Sequence, residues 1–110
     1  MFPHLEGAVL FFVVLAAADR VPNFNVEPVC REIAGRAYAP DYREQCLRDE
    51  HESRDQLRST WAAFPASDRS YCTQLASLGG VPSYVVLLTC LEVAQHARRV
   101  RESEARNRAK

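Results

Sequence analysis

Four cysteines, Cys30, Cys46, Cys72 and Cys90, constrain this chain of 110 residues more than any other feature. An even number of cysteines in a short chain is typical of a disulfide framework. A disulfide bond that closes a loop of about 17 residues contributes ~3 kcal/mol, which is a large part of the net stability of a small domain. We therefore expect a small domain whose fold depends on two disulfide bonds.

Apolar residues recur at helical spacing in four segments that are separated by turn signals. The first helix is predicted to begin near Glu27 and to end at Ala39-Pro40. The second is predicted to open with a capping box formed by Asp41 and Glu44 and to continue to Phe64. Its expected apolar face consists of Cys46, Leu57, Trp61 and Phe64.

The third helix is predicted over residues 68–78, with Ser67 as its N-cap and Gly79-Gly80 as a left-handed stop. Its expected apolar face consists of Cys72, Leu75 and Leu78. Ser83 is predicted as the N-cap of the fourth helix, which is apolar around well over half of its circumference as far as Val100. That breadth favours a central position in a small bundle.

The positions of the predicted turns favour one of the three pairings that four cysteines allow. In an antiparallel helical hairpin, residues equidistant from the turn lie at the same height. Cys30 and Cys46 are each eight residues from Tyr38, beside the first turn. Cys72 and Cys90 are each nine residues from the turn between the third and fourth helices. We therefore predict the bonds Cys30–Cys46 and Cys72–Cys90.

The N-terminal segment differs from the rest of the chain, because residues 8–18 are continuously apolar. This run is too short to span a bilayer core, and Ala16-Ala17-Ala18 offers the small residues that a signal peptidase recognises. A retained anchor or an ordinary core helix is the alternative, since no Lys or Arg precedes the run. The predicted organisation is a signal peptide at 1–18, an irregular leader at 19–26, an all-α domain of two disulfide-linked helical hairpins at 27–100 and a charged, fraying tail at 101–110.

A candidate binding groove lies on the second helix. Glu50 and Ser53 are predicted to face the same side as Trp61. A buried Glu50 would need a partner such as an arginine, because an unpaired buried charge is costly. We expect instead that the bundle is open here and that Glu50 and Ser53 are hydrated. The opening would form a groove lined by Glu50, Ser53 and Trp61, and a buried Trp61 would count against it.

Other candidate sites have weaker motif support. His51 and Asp55 are one helical turn apart, but they form no complete zinc motif, and a solvated charged face is the favoured interpretation. Arg98, Arg99 and Arg101 could contact an envelope protein or an anionic surface. Because 14 basic residues balance 14 acidic ones, no nucleic-acid binding is expected. No catalytic motif, cofactor motif or C-x-x-C pair occurs, so neither a catalytic residue nor a cofactor is predicted.

Several motifs resemble an uncharacterised family of small exported four-cysteine helical proteins from alphaproteobacteria. The resemblance spans residues 22–100. It rests on Cys46-x-x-Asp49-Glu50, Leu57-x-x-x-Trp61-x-x-Phe64, Asp68-Arg69-x-x-Cys72, Pro82-Ser83-Tyr84-Val85 and Leu88-Thr89-Cys90-Leu91-Glu92. It implies a periplasmic or secreted location and no particular activity. A fainter similarity, over residues 57–72, is to the short helical domain of some secreted lysozyme inhibitors.

These observations favour an exported, non-enzymatic protein that acts by binding or as an envelope component. One alternative is a periplasmic inhibitor or small chaperone that uses the groove on the second helix. A second alternative is a metal-dependent enzyme centred on His51, and a third is a membrane-anchored protein that retains its first segment.

Overall fold

The computed structural model describes residues 20–37 and 40–110, and every regular element in those two ranges is helical. The α-helices are α1 (Glu27–Ala37), α2 (Pro40–Thr60), α3 (Ala66–Ala76) and α4 (Tyr84–Ala109), and 3₁₀ turns lie at Trp61–Ala63 and Leu78–Gly80. The predicted all-α fold is confirmed. The predicted signal peptide, residues 1–18, lies outside the described residues.

Both predicted disulfide bonds are present. Cys30 is bonded to Cys46, with a Cα–Cα distance of 5.4 Å, and Cys72 is bonded to Cys90, with a distance of 5.6 Å. Each bond joins the two helices of one hairpin, α1 to α2 and α3 to α4. The equidistance of each pair from its turn was therefore a sufficient guide to the pairing.

The helix ends are only partly as predicted. Ser83 caps α4, since its side chain accepts a hydrogen bond from the Val86 N–H, and Gly79 and Gly80 have φ values of 73° and 71° that favour glycine. The capping box was wrong, because Asp41 lies inside the first turn of α2. Ser67 is not an N-cap either: α3 begins at Ala66, with Pro65 before it.

Helix α4 extends to Ala109, which corrects the expectation that the chain frays after Val100. The segment 101–110 contains no glycine or proline and is rich in Arg, Glu and Ala, which are good helix formers. Arg106 and Arg108 in the last turn also complement the helix dipole. The segment is exposed along its whole length, so it is a charged helical extension.

The hydrophobic core lies between the C-terminal half of α2, α3 and the first half of α4. It comprises Val26, Leu57, Trp61, Phe64, Cys72, Ala76, Tyr84, Leu87, Leu88 and Leu91. The predicted face of α2 is confirmed. On α3, Cys72 is buried as predicted, but Leu75 and Leu78 are exposed and Ala76 is buried instead. Helix α4 is not buried on all sides, because Val86, Val93 and Val100 face solvent opposite its packed face.

The predicted leader has no regular structure over residues 20–26, yet it is packed against the core. The Tyr84 hydroxyl donates to the Pro22 carbonyl oxygen and accepts from the Phe24 N–H, both at 2.8 Å. The rings of Phe24 and Tyr84 are also in contact, with centroids 4.9 Å apart. Tyr84, at the start of α4, therefore fixes the path by which the chain enters α1.

Candidate functional site

Glu50 is buried in the middle of α2, with only 2% of its surface exposed. Its carboxylate accepts two hydrogen bonds of 2.6 Å, one from the Ser83 hydroxyl and one from the Tyr84 N–H. Ser83 in turn accepts from the Val86 N–H at 3.2 Å. The first backbone N–H groups of a helix have no partner within it, so Glu50 and Ser83 together satisfy two of these groups in α4.

The expectation that Glu50 is hydrated was wrong, and its partner is not an arginine. The carboxylate lies at the N-terminus of α4, where the helix dipole provides a partial positive charge. Two hydrogen bonds to the charged group offset part of the cost of its burial. Glu50 therefore joins α2 to the first turn of α4 and fixes the position of that turn.

An apolar groove with a volume of about 350 Å³ lies between α1, α2 and the first turn of α4. Its floor is one face of α2, and its walls come from α1 and α4. The described residues that line it are Val29, Ile33, Tyr42, Gln45, Cys46, Asp49, Glu50, Ser83, Val85 and Val86. The α2 residues recur at intervals of three and four, which places them along one side of the helix.

The lining of this groove includes large apolar side chains that remain partly exposed. Ile33, Tyr42, Val85 and Val86 are between 37% and 55% exposed. A contiguous exposed apolar surface at a concave site is typical of a binding site. The lining contains no free thiol, since Cys46 is bonded to Cys30. The groove can therefore bind an apolar group.

The three residues predicted to form one groove are divided in the structure. Glu50 lines the apolar groove, whereas Ser53 is half-buried and lines neither that groove nor the cavity beside Trp61. Trp61 is only 5% exposed and belongs to the core. Glu50, Ser53 and Trp61 therefore do not line one groove, and the apolar groove that Glu50 lines is further towards the N-terminus of α2.

Trp61 borders a separate cavity of about 290 Å³, together with Arg20, Pro22, Arg69, Ser70, Thr73 and Gln74. The Arg69 guanidinium carbon lies 5.7 Å from the centroid of the Trp61 ring, within the range of a cation–π interaction. The Trp61 Nε1 is buried and has no hydrogen-bond acceptor among the described residues. This cavity is more polar than the apolar groove and is closed on one side by the leader.

The other candidate residues lie apart from both cavities. His51 is exposed on α2, and within residues 20–37 and 40–110 no three His, Cys, Asp or Glu side chains are grouped so that they could hold a metal ion. Arg98 is paired with Asp68 at 2.6 Å, and Arg99 donates to Gln95. Of the three arginines proposed to contact a surface, Arg98 therefore already has an acidic partner.

Most groove residues were missed from the sequence, although a signal for some of them was present. Tyr42, Cys46 and Glu50 are spaced four residues apart, so they share a face of α2. Val85 and Val86 lie directly after the Ser83 cap, and Ile33 belongs to the apolar set of α1. The proximity of α1 and α4 across α2 is a tertiary feature that spacing alone does not reveal.

Comparison of the chain with protein-family models, with curated protein sequences and with solved structures finds no match in any of the three. The two disulfide bonds indicate an oxidising environment outside the cytoplasm. Among the helices of the described ranges, none combines the length and the hydropathy needed to cross a membrane.

Proposed function

We propose that this chain is an exported, non-enzymatic binding protein that receives an apolar segment of a partner polypeptide in the groove between α1, α2 and α4. The observation that carries this proposal is the apolar groove of about 350 Å³ with partly exposed walls. A volume at the lower end of the range for ligand sites suits one or two apolar side chains.

The chemistry of the lining favours a polypeptide segment over an apolar anion such as a fatty acid. The two charged groups among the described lining residues are both carboxylates, Asp49 and Glu50. An anionic head group at this rim would be repelled, whereas an uncharged peptide backbone would not. The groove is also open to solvent along its walls, as docking of a segment from another protein requires.

The location proposed with this function is the periplasm or the exterior of the cell. The two disulfide bonds support export, as do the apolar run at 8–18 and the small residues after it. The resemblance to a family of small exported four-cysteine helical proteins agrees with this location. Either an inhibitor or a small chaperone would use the groove in the same way, and the two differ in whether the partner is folded.

Titration of the disulfide-bonded protein with the neutral peptide acetyl-Leu-Gln-Leu-amide tests the proposal. Backbone amide shifts in an NMR spectrum should change saturably for residues that line the groove. Replacing Ile33, which is 44% exposed in the groove wall, by Asp should weaken binding about ten-fold or more, because it places a charge against an apolar ligand.

Val93→Asp is the matched control, since Val93 is 63% exposed on α4 and does not line the groove. It should leave peptide binding unchanged. Unchanged far-UV circular dichroism and amide dispersion in both variants would exclude unfolding as the cause. The proposal fails if the peptide leaves the groove amides unshifted, or if the two variants weaken binding equally.

A further inference from the structure

We infer that the groove selects apolar segments that carry a basic side chain next to the apolar one, with Asp49 as the residue that recognises the positive charge. This inference rests on the proposed function and names the class of segment that the groove binds. It is carried by the charge of the lining and by the hydrogen-bond partners of its two carboxylates.

The charged side chains in the lining of the groove are all negative. Of the described residues around the groove, Asp49 and Glu50 are acidic and none is basic. Two arginines of the helices that border the groove are paired with glutamates: Arg43 with Glu27 at 2.6 Å, and Arg36 with Glu32. A cationic group on a ligand therefore meets negative charge in the lining and no positive side chain among the described lining residues.

The two carboxylates are not equivalent. Glu50 is buried, with 2% of its surface exposed, and each of its oxygens accepts a hydrogen bond from the start of α4, so a ligand has little access to it. Asp49 is exposed at the rim, and among the described residues its only partner is a neutral group, the Gln45 amide, at 2.9 Å. The unused acceptor capacity of the groove is thus on Asp49, where a basic side chain can reach it from solvent.

Arg48 directly precedes Asp49 in the chain, but its contacts place it in a neighbouring depression. Its guanidinium donates to the Gln45 Oε1 at 2.9 Å, and it lines that depression with Asp41, Tyr42 and Gln45. Gln45 thus lies between the two charges, with its oxygen facing Arg48 and its nitrogen facing Asp49. This arrangement keeps the Asp49 carboxylate oriented and leaves it without an ion pair among the described residues.

Three matched peptides test the inference: acetyl-Leu-Arg-Leu-amide, acetyl-Leu-Gln-Leu-amide and acetyl-Leu-Glu-Leu-amide. An exposed ion pair is a modest interaction, so the Arg peptide should bind about two- to five-fold more tightly than the Gln peptide. The Glu peptide should bind more weakly than both. The readout is the dissociation constant obtained from amide shifts of the groove residues at low ionic strength, where screening is least.

Asp49→Asn should abolish the preference, so that the Arg peptide and the Gln peptide bind this variant with the same affinity. Glu44→Gln is the matched control, because it removes the same charge from an exposed position of α2 that does not line the groove. This control should retain the preference. Added salt at physiological ionic strength should reduce the preference and leave binding of the Gln peptide largely intact.

The outcomes separate the two proposals. If the Gln peptide binds in the groove and the Arg and Glu peptides bind equally well, the charge selection is wrong and the proposed function stands. A preference that survives in Asp49→Asn also overturns the inference, since the recognising group is then elsewhere. If none of the peptides shifts the groove amides, both proposals fail.

Discussion

The two disulfide-linked hairpins are almost identical in covalent geometry but differ in what surrounds the bond. The sequence separations are 16 and 18 residues, so the loop-closure contributions of the two bonds are nearly equal. Cys72 belongs to the hydrophobic core, with Cys90 packed against it. Cys30 and Cys46 are both buried, but they lie outside that cluster, under the apolar groove.

The helices joined by the two bonds differ in the same way. Helix α4 packs extensively against both α2 and α3, whereas the extensive contacts of α1 within the described ranges are with α2 alone. Most of α1 beyond Cys30 is exposed, and the Arg43–Glu27 ion pair that joins it to α2 is itself nearly half exposed. One disulfide thus reinforces a core to which three helices contribute, and the other joins α1 to α2, the one helix against which α1 packs extensively.

Removal of the core disulfide should have the largest effect on stability. We expect Cys72→Ala/Cys90→Ala to lower the free energy of unfolding by about 4 kcal/mol, of which ~3 kcal/mol is loop closure and the rest is lost core packing. Urea unfolding followed by Trp61 fluorescence and by circular dichroism measures this change, because Trp61 lies in the same cluster. A midpoint close to that of the parent protein would show that α2, α3 and α4 hold together without the bond.

Loss of Glu50 should have the next largest effect, since this residue joins the two hairpins. Glu50→Ala removes the acceptor of the Ser83 hydroxyl and the Tyr84 N–H, both buried, at an expected cost of about 2 kcal/mol. The Tyr84 amide should also lose protection from hydrogen exchange. Glu52→Ala is the control. Glu52 lies two residues further along α2 and is exposed, so this substitution should be nearly neutral. Equal effects of the two substitutions would contradict the capping role of Glu50.

The hairpins and their cross-links were predictable because they depend on local features. The turn signals at Pro40 and Gly79-Gly80 and the spacing of the cysteines on either side operate within about twenty residues of chain. The Ser83 cap is equally local, since its side chain bonds a backbone group three residues on. The two cap predictions that were wrong concern Asp41 and Ser67. Each is the second residue of its helix, and each helix start is set by a proline, Pro40 or Pro65.

The site could not be predicted because its decisive contacts join distant parts of the chain. Glu50 and Tyr84 are 34 residues apart, and the spacing along α2 shows which side Glu50 faces but not that the start of α4 lies there. Tyr84 and Pro22 are 62 residues apart, so the packing of the leader against the core could not be predicted from the sequence either. A buried carboxylate can be stabilised by a helix N-terminus as well as by an arginine, and the sequence does not distinguish the two.

Removal of the groove disulfide should have the smallest effect on global stability. We expect Cys30→Ala/Cys46→Ala to lower the free energy of the main unfolding transition by on the order of 1 kcal/mol. Without the bond α1 should open before the core unfolds, so that most of the loop-closure contribution is lost in that local step, and the core cluster retains all of its members. The loss should instead be local: α1 should lose protection from hydrogen exchange, as expected of an element that opens separately from the core. Amide hydrogen exchange resolved by residue measures both effects in one experiment.

The same variant should bind acetyl-Leu-Gln-Leu-amide much more weakly than the parent protein, because Val29 and Ile33 of α1 form one wall of the groove. Val93→Asp provides the control for binding, and the protection of α3 and α4 provides the control for the fold. A loss of protection that is uniform across all four helices would contradict the difference between the two hairpins, since α1 would then unfold together with the core. Retained protection in α1 would contradict the dependence of α1 on the Cys30–Cys46 bond, because packing against α2 would then keep α1 in place without it.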